Sequence, residues 1–514
     1  MNMNFTRGRS GTLAILIGAS LALVLSAGSA LAQAELPKLF LPAVAPEGAT
    51  PLRQSIAHMP ALIDTGLLAS SNAGTKIELN VDPLRSFTMT VTKVERRPDA
   101  TFSVFGTIDG AEGTSVIFSV QEDAVASDIT APTWGVHYKT KYAANGVHLV
   151  CNIDDMKYAP CGGAKKSEPL LPGEVPEDWA PEAEELLNLP RFTGEDRNGE
   201  NSGGATTGAC VAPLVVFDAM IIYTDVARLA AGGTSAIQAE IQLAIDRTNE
   251  AYDNSPISAR MRLVSRYEIT YNEVGTYNDH LDRLTGTSGL GSSAPWTTAR
   301  TNRDTNNADF CTLFVADTQY CGLAWCTSAA NRGYSVATWD CAAGGLTYAH
   351  EIGHNQGCGH DIANGSCGYS NYAFGWRFNG SDGNQYRTVM AYSPGDRIPY
   401  FSNPSRTYLG TPTGTALADN ERVIEERKGT CEAFETTRWD IFVDFSFGGF
   451  PAEIGTFSLP YNSVAEGVTN LDNHVSGASE FPNLYIKEGS TNYTGTISKV
   501  MTITACGGPV TIGN

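Results

Sequence analysis

The segment LTYAHEIGHNQGCGHD, residues 346–361, crowds three of the chain's eight histidines into eleven positions and sets a glutamate directly after the first. Few folds accommodate that. On a helix, His350 and His354 stand four apart and project from one face, close enough to grip one ion, with Glu351 beside it. Gly357 can take the left-handed backbone conformation that ends a helix, which swings His360 back toward the first two rings. A histidine-bearing surface helix has no use for the continued spacing His350-Glu351-x-x-His354-x-x-Gly357-x-x-His360. Three neutral imidazoles around one zinc ion leave a fourth position open, the arrangement of a catalytic metal. Zinc so held acidifies water to a pKa of about 7 and polarises a carbonyl, and Glu351 is placed to accept the water's proton and pass it to a leaving amine. A four-cysteine structural site would need paired Cys-x-x-Cys knuckles, which this chain lacks. No motif supports a structural calcium site.

A chain of 514 residues with 42% hydrophobic and 18% charged content suits two to four globular pieces with real cores. The net charge of −20 has the wrong sign for a phosphate-binding surface or an anionic membrane face, so nucleic acid is not an expected partner; protein or peptide substrates and a monomer are. Residues 1–32 read as a signal peptide: Arg7 and Arg9 precede the apolar run TLAILIGASLALVLSAGSA, and Ala30-Leu31-Ala32 offers small residues for cleavage. Export to the periplasm or the extracellular medium is expected, with no membrane association after its removal. Eleven cysteines fit that oxidising compartment, and an odd number leaves at least one thiol unpaired within the chain.

From about 80 to 155, stretches such as SFTMTVTKVE, TFSVFGTI, TSVIFSV and GVHLVCNI alternate polar and apolar residues and predict an antiparallel β domain, in which His58, His137 and His148 are read as ordinary core or surface histidines. Residues 166–209, rich in Pro and Glu and then in Gly, Asn, Ser and Thr, form a linker open to proteolysis. Beyond Cys210 the pattern turns to α/β. APLVVFDAMIIYT predicts a buried strand, and SAIQAEIQLAIDRTNEAY an amphipathic helix with Ile237, Ile241, Ile245 and Tyr252 on one stripe. ARMRLVSRYEITY and ADFCTLFVA follow as strands, and CGLAW as an edge strand before the histidine helix. After about 436, short β runs with Gly turns faintly resemble the opening coil of a parallel β-helix. The remaining length cannot stack the three or so coils a solenoid needs, so a small accessory β module is expected.

The string from His350 to His360 resembles that of the metzincin zinc endopeptidases, which carry a methionine turn beneath the metal. RTVMAYSPGDRIPYFSNPS supplies Met390 thirty residues after His360. The resemblance implies that Met390 forms an apolar base under the ligands. Asp361 after the third histidine resembles the adamalysin (reprolysin) group and is read as support for a ligand. VFDAMIIYTDVAR, NEAYDNSPI, CGLAW and YFSNPS look most like bacterial peptidyl-Asp metalloendopeptidases, over about 210 to 430. Tyr392, two after Met390, is similar to the tyrosine of astacins and serralysins that ligates zinc or stabilises an oxyanion; packing is its other reading.

These readings predict a multidomain chain: signal peptide 1–32, a mostly antiparallel β propeptide with linker 33–207, an α/β metzincin catalytic domain 208–435, and a small β module 436–514. The implied activity is that of a secreted zinc endopeptidase made as a zymogen. A catalytically weak zinc-containing adhesin acting through its C-terminal module is the other class, disfavoured by the intact Glu351. Two readings of Cys161 in YAPCGG stand open. A disulfide to Cys151 closing a hairpin is the expected one, and a thiolate to zinc, as in the cysteine switch of some metzincins, is the alternative. If the family's preference for aspartate after the cut carries over, a cation must receive that carboxylate. Arg397 is the first candidate and Arg377 and Arg387 the alternates.

Overall fold

Alternation of polar and apolar residues between 55 and 153 yields eight strands, which follow a short β1 (Phe40–Pro42): β2 (Ser55–Ile63), β3 (Lys76–Asp82), β4 (Arg85–Arg96), β5 (Phe102–Ile108), β6 (Ser115–Gln121), β7 (Ala124–Ala131), β8 (Val136–Ala144) and β9 (Val147–Ile153). They form one antiparallel sheet in the order β1-β2-β9-β8-β7-β6-β5-β4-β3. This is a computed structural model that describes residues 35–166 and 214–513, apart from 327–328, 366, 436–437, 449–452, 458, 474–477 and 479. The expected signal peptide and nearly all of the linker, with Cys210, lie outside the described residues. The described residues from Pro37 onward form one compact unit.

In β6 and β7 almost every position is buried. A sheet with one face in water would alternate. One face of this sheet packs its own core of Ile77, Leu79, Val104, Val116 and Phe118. Its other face adds Ile117, Leu149, Cys151 and Ile153 to a second core that also holds Ile237, Ile241, Ile245 and Tyr252. Those last four are the expected stripe of a helix, Thr234–Asn254, termed here the backing helix.

Behind it lies a second sheet, built from β10 (Ala164–Lys165), β11 (Val215–Thr224), β12 (Ala259–Ile269), β13 (Phe310–Val315), β14 (Gly322–Trp325) and β15 (Tyr334–Thr338), in the order β10-β14-β15-β13-β11-β12. β11, β12, β13 and β15 run parallel and β14 antiparallel to β15. Burial on both faces explains the continuous apolar run of β11. The backing helix is thus a filling between two sheets. CGLAW does form the outer strand of the catalytic part, as expected, but its free edge is covered by β10 from the N-terminal region, paired parallel.

The histidine helix, Thr347–Gln356, follows β15. Next comes a small sheet of β16 (Arg377–Asn379), β17 (Gln385–Arg387) and β18 (Asp396–Arg397), then a hairpin of β19 (Thr407–Tyr408) and β20 (Thr411–Pro412), and a helix Asn420–Glu432. The C-terminal module holds three parallel strands, β21 (Asp440–Val443), β22 (Asn483–Thr491) and β23 (Thr502–Ile512). It docks on β12, where Arg262 binds Asp218 and Asp440 at 2.7 Å each and lies over the ring of buried Trp439. No helix among the described residues is long and apolar enough to cross a membrane.

Candidate active site

The histidine helix ends where Gly357 takes φ of 105° and donates back to the Gly353 and His354 carbonyls, a left-handed cap that an L side chain would strain. The chain then reverses and brings His360 against the first two rings. His360 Nε2 lies 3.2 Å from His350 Nε2 and 2.9 Å from His354 Nε2. All three rings are buried.

Their outer nitrogens are all engaged by backbone carbonyls: His350 Nδ1 by Val389 at 2.8 Å, His354 Nδ1 by Cys358 at 2.9 Å and His360 Nδ1 by Asn364 at 3.3 Å. A carbonyl can only accept, so each Nδ1 carries the proton and each neutral ring presents a bare Nε2 lone pair. Burial pushes all three imidazoles below their ordinary range, His360 to about 4, so the neutral form prevails. Three lone pairs converging on one point repel unless a cation lies between them, and this donor set fits zinc.

Cys161 joins the cluster: its Sγ and one nitrogen of each of the three imidazoles lie within 4.8 Å of one another. The sulfur is 3.2 Å from Glu351 Oε1. Cys151 and Cys161 are both free, so the expected hairpin disulfide does not form. Cys151 is sealed in the core shared with the backing helix, whereas the YAPCGG turn carries Cys161 away from β9 and into the cleft. Two disulfides among the described residues, Cys321–Cys341 and Cys326–Cys367, clamp both ends of β14 to segments flanking the histidine helix. Asn355 Nδ2 adds a bond to the Trp325 carbonyl at 2.8 Å.

Glu351 is fully buried against β14, its Oε2 has no partner, and burial raises its pKa to about 8. Met390 is fully buried beneath the helix; a Cβ at Gly353 would come within 2.5 Å of its sulfur, so the turn approaches this closely only because residue 353 is glycine. Asp361 ties the third histidine's loop to the methionine turn by accepting from Arg377 at 2.7 Å and from the Tyr392 amide at 3.1 Å. The Tyr392 ring lies 4.1 Å from that of His360, and its hydroxyl donates to the Cys161 carbonyl at 3.3 Å. Arg397 borders the same cavity as His350 and Glu351 and donates to the Gly345 carbonyl at 2.8 Å. Arg377 is taken up by Asp361.

His137 is a core histidine, as read, with partners that the sequence did not show. It bridges Asp128 at 2.8 Å and Asp155 at 2.7 Å beside this cavity, and the two carboxylates raise its pKa to about 10 against the desolvation cost. Nothing in the strand pattern marks it, because both partners come from other segments.

Residues 216–419 match the family described as metallo-peptidase family M12B, reprolysin-like. A peptidyl-Asp metalloendopeptidase of Stenotrophomonas maltophilia (strain K279a) is 32% identical over 63% of this chain and 71% of its own length. One from Xanthomonas campestris pv. campestris is 29% identical over 77% of this chain and 92% of its own, and one from Pseudomonas fragi 31% identical over 36% and 99%. With three imidazoles converging on one point, a buried glutamate beside them and these relatives, the chain belongs to the reprolysin-like metallopeptidases and is a zinc metalloendopeptidase.

Proposed function

We propose that the protein is exported as a latent proenzyme whose propeptide, residues 33–207, holds Cys161 at the metal centre, and that the freed enzyme cuts peptide bonds before aspartate. The observation that carries this reading is the gathering of Cys161 with His350, His354 and His360. Three histidines and a thiolate make a closed ligand set with no room for substrate. β10 supports it further, since an extended substrate that augments β14 needs the edge that β10 occupies.

In the active form His350, His354 and His360 hold zinc, which when bound supplies Lewis-acid polarisation of the scissile carbonyl and acidifies water. Glu351, relieved of the Cys161 sulfur, accepts a proton from the attacking water and returns it to the leaving amine. Tyr392, freed from the Cys161 carbonyl, donates to the oxygen on which charge develops. Met390, Gly357 and Asp361 keep the ligands in place, and Arg397 receives the aspartate carboxylate. That preference follows the names of the relatives and the position of Arg397.

Before any processing, full-length protein with Cys161→Ala should show chelator-sensitive casein hydrolysis, below that of the freed enzyme because β10 still covers the β14 edge, while the parent chain stays silent until the linker is cut and the propeptide leaves. Equal silence of both chains before cutting would sink the latch.

A further inference from the structure

The small sheet β16–β18 carries three arginines in one row. Arg377 pairs in register with Arg387, and Arg387 with Arg397. Like charges directly opposite one another on neighbouring strands destabilise a sheet. Arg377 is neutralised by Asp361. The other two are not. Arg387 donates from Nη1 to the Ala391 carbonyl at 2.9 Å and from Nε to that of Gly395 at 2.7 Å. Arg397 reaches the same Ala391 carbonyl at 3.4 Å and Gly345 at 2.8 Å, and its Nε is buried without a partner.

Two guanidiniums therefore meet at one carbonyl oxygen, and among the described residues neither has a carboxylate in ion-pair contact. Asp155, Asp361 and Asp396 are near enough to favour the charge of Arg387, yet burial and the charge of Arg397 prevail and hold its pKa well below the ordinary value. Leaving two half-desolvated cations uncompensated is costly. Both border the cavity of about 600 Å³ that contains His350, Glu351 and Tyr392. Asp154 and Asp155 of the proposed propeptide line the same cavity, and their departure removes two of its four carboxylates, the others being Glu351 and Asp396.

We infer that Arg387 and Arg397 act together as a two-guanidinium clamp for one substrate carboxylate, that of the residue following the scissile bond. This rests on the aspartate preference proposed above and adds that Arg387 shares the work equally. The backbone carbonyls at 345, 391 and 395 anchor both stems, so the forks are set before substrate arrives.

The test uses full-length protein processed to its active form and peptides identical except for Asp or Asn after the cut. Arg387→Gln and Arg397→Gln, which keep an amide donor but lose the charge, should each shrink the Asp-over-Asn ratio of kcat/KM by about 30-fold or more. The double variant should fall far short of the product of the two, as expected of groups that hold one ligand. Arg387→Lys should retain part of the preference and serves if the Gln variant does not fold. An unchanged ratio in the Arg387 variants beside a collapsed one in Arg397→Gln overturns the clamp and leaves the aspartate reading standing. A uniform loss on both peptides also overturns it, since it makes Arg387 a prop for the 391–395 turn. A parent without any Asp-over-Asn preference defeats the specificity reading itself.

Discussion

Glu351 shows how much chemistry one position concentrates. Its neighbours on the helix face are ligands, its carboxylate presses on β14 at Gly322, where a Cβ would clash at 2.2 Å, and its remaining oxygen is unpartnered. Such a group is kept for a proton, not for packing. Glu351→Ala should leave metal content unchanged, because the three imidazoles and their carbonyl anchors are untouched, while casein hydrolysis falls by about 10² to 10⁴. Metal analysis beside the rate decides: a variant that loses zinc as well would show that Glu351 builds the site. The spacing of these residues was readable in the sequence because all of it lies within one helix and one turn. The partner of Cys161 was not, because 190 residues separate it from Glu351.

The backing helix teaches the opposite lesson. Its apolar stripe was legible in the sequence, which carried no record of what its polar face meets. In the structure that face is buried as well. Asp246 accepts from Ser103 and Ser119 at 2.5 and 2.6 Å and pairs with Arg97 at 3.0 Å, all from the N-terminal β region. Arg247 lies 3.0 Å from Asp128, and Lys139 lies 3.3 Å from Glu240. Periodicity reports only which residues avoid water; it does not tell a charged face in solvent from one paired across an interface. Asp246→Ala should destabilise the full-length protein by about 2 to 4 kcal/mol, since it leaves buried Arg97 with only the exposed Glu95 at 3.6 Å as an ionic partner and takes the acceptor from two buried hydroxyls. Chemical denaturation of full-length parent and variant measures it, and a loss below about 1 kcal/mol, the worth of an exposed pair, would mean that the interface is wet.

At the scale of the molecule, propeptide and catalytic sheet share one core through Cys151, Ile153, Ile237 and Ile241. In the proposed activation, cutting the linker would remove the covalent tie and leave this contact intact, so the propeptide would still have to dissociate. Glu240 makes that step pH-dependent. Burial raises its pKa to about 7 despite Lys139, and separation returns it to the ordinary range near 4.3. A carboxyl with a raised value takes up a proton when the complex forms, so association is tightest below about 4.3 and weakens as pH climbs toward 7. Asp128, held well below the ordinary carboxylate range, and His137, raised to about 10, do not titrate in that window. Gel filtration of the cleaved protein should show more propeptide released at pH 7 than at pH 5, with the difference reduced in Glu240→Gln. More release at the lower pH would reverse the sign and exclude Glu240 as its source.

The sequence by itself determined the metal centre and the class of chemistry, because residues 350–361 write both the helix and the turn that gather the ligands. It also determined the strand patterns and the apolar stripe, which depend on local periodicity. Only the tertiary structure decided that Cys161 faces the metal site and not Cys151, that β10 seals the edge of β14, and that His137 is a buried bridge. It likewise decided that Arg377, Arg387 and Arg397 stand in one row. Each of those facts is a meeting of distant segments, set by sheet register and shared burial, and chain spacing carries no record of either.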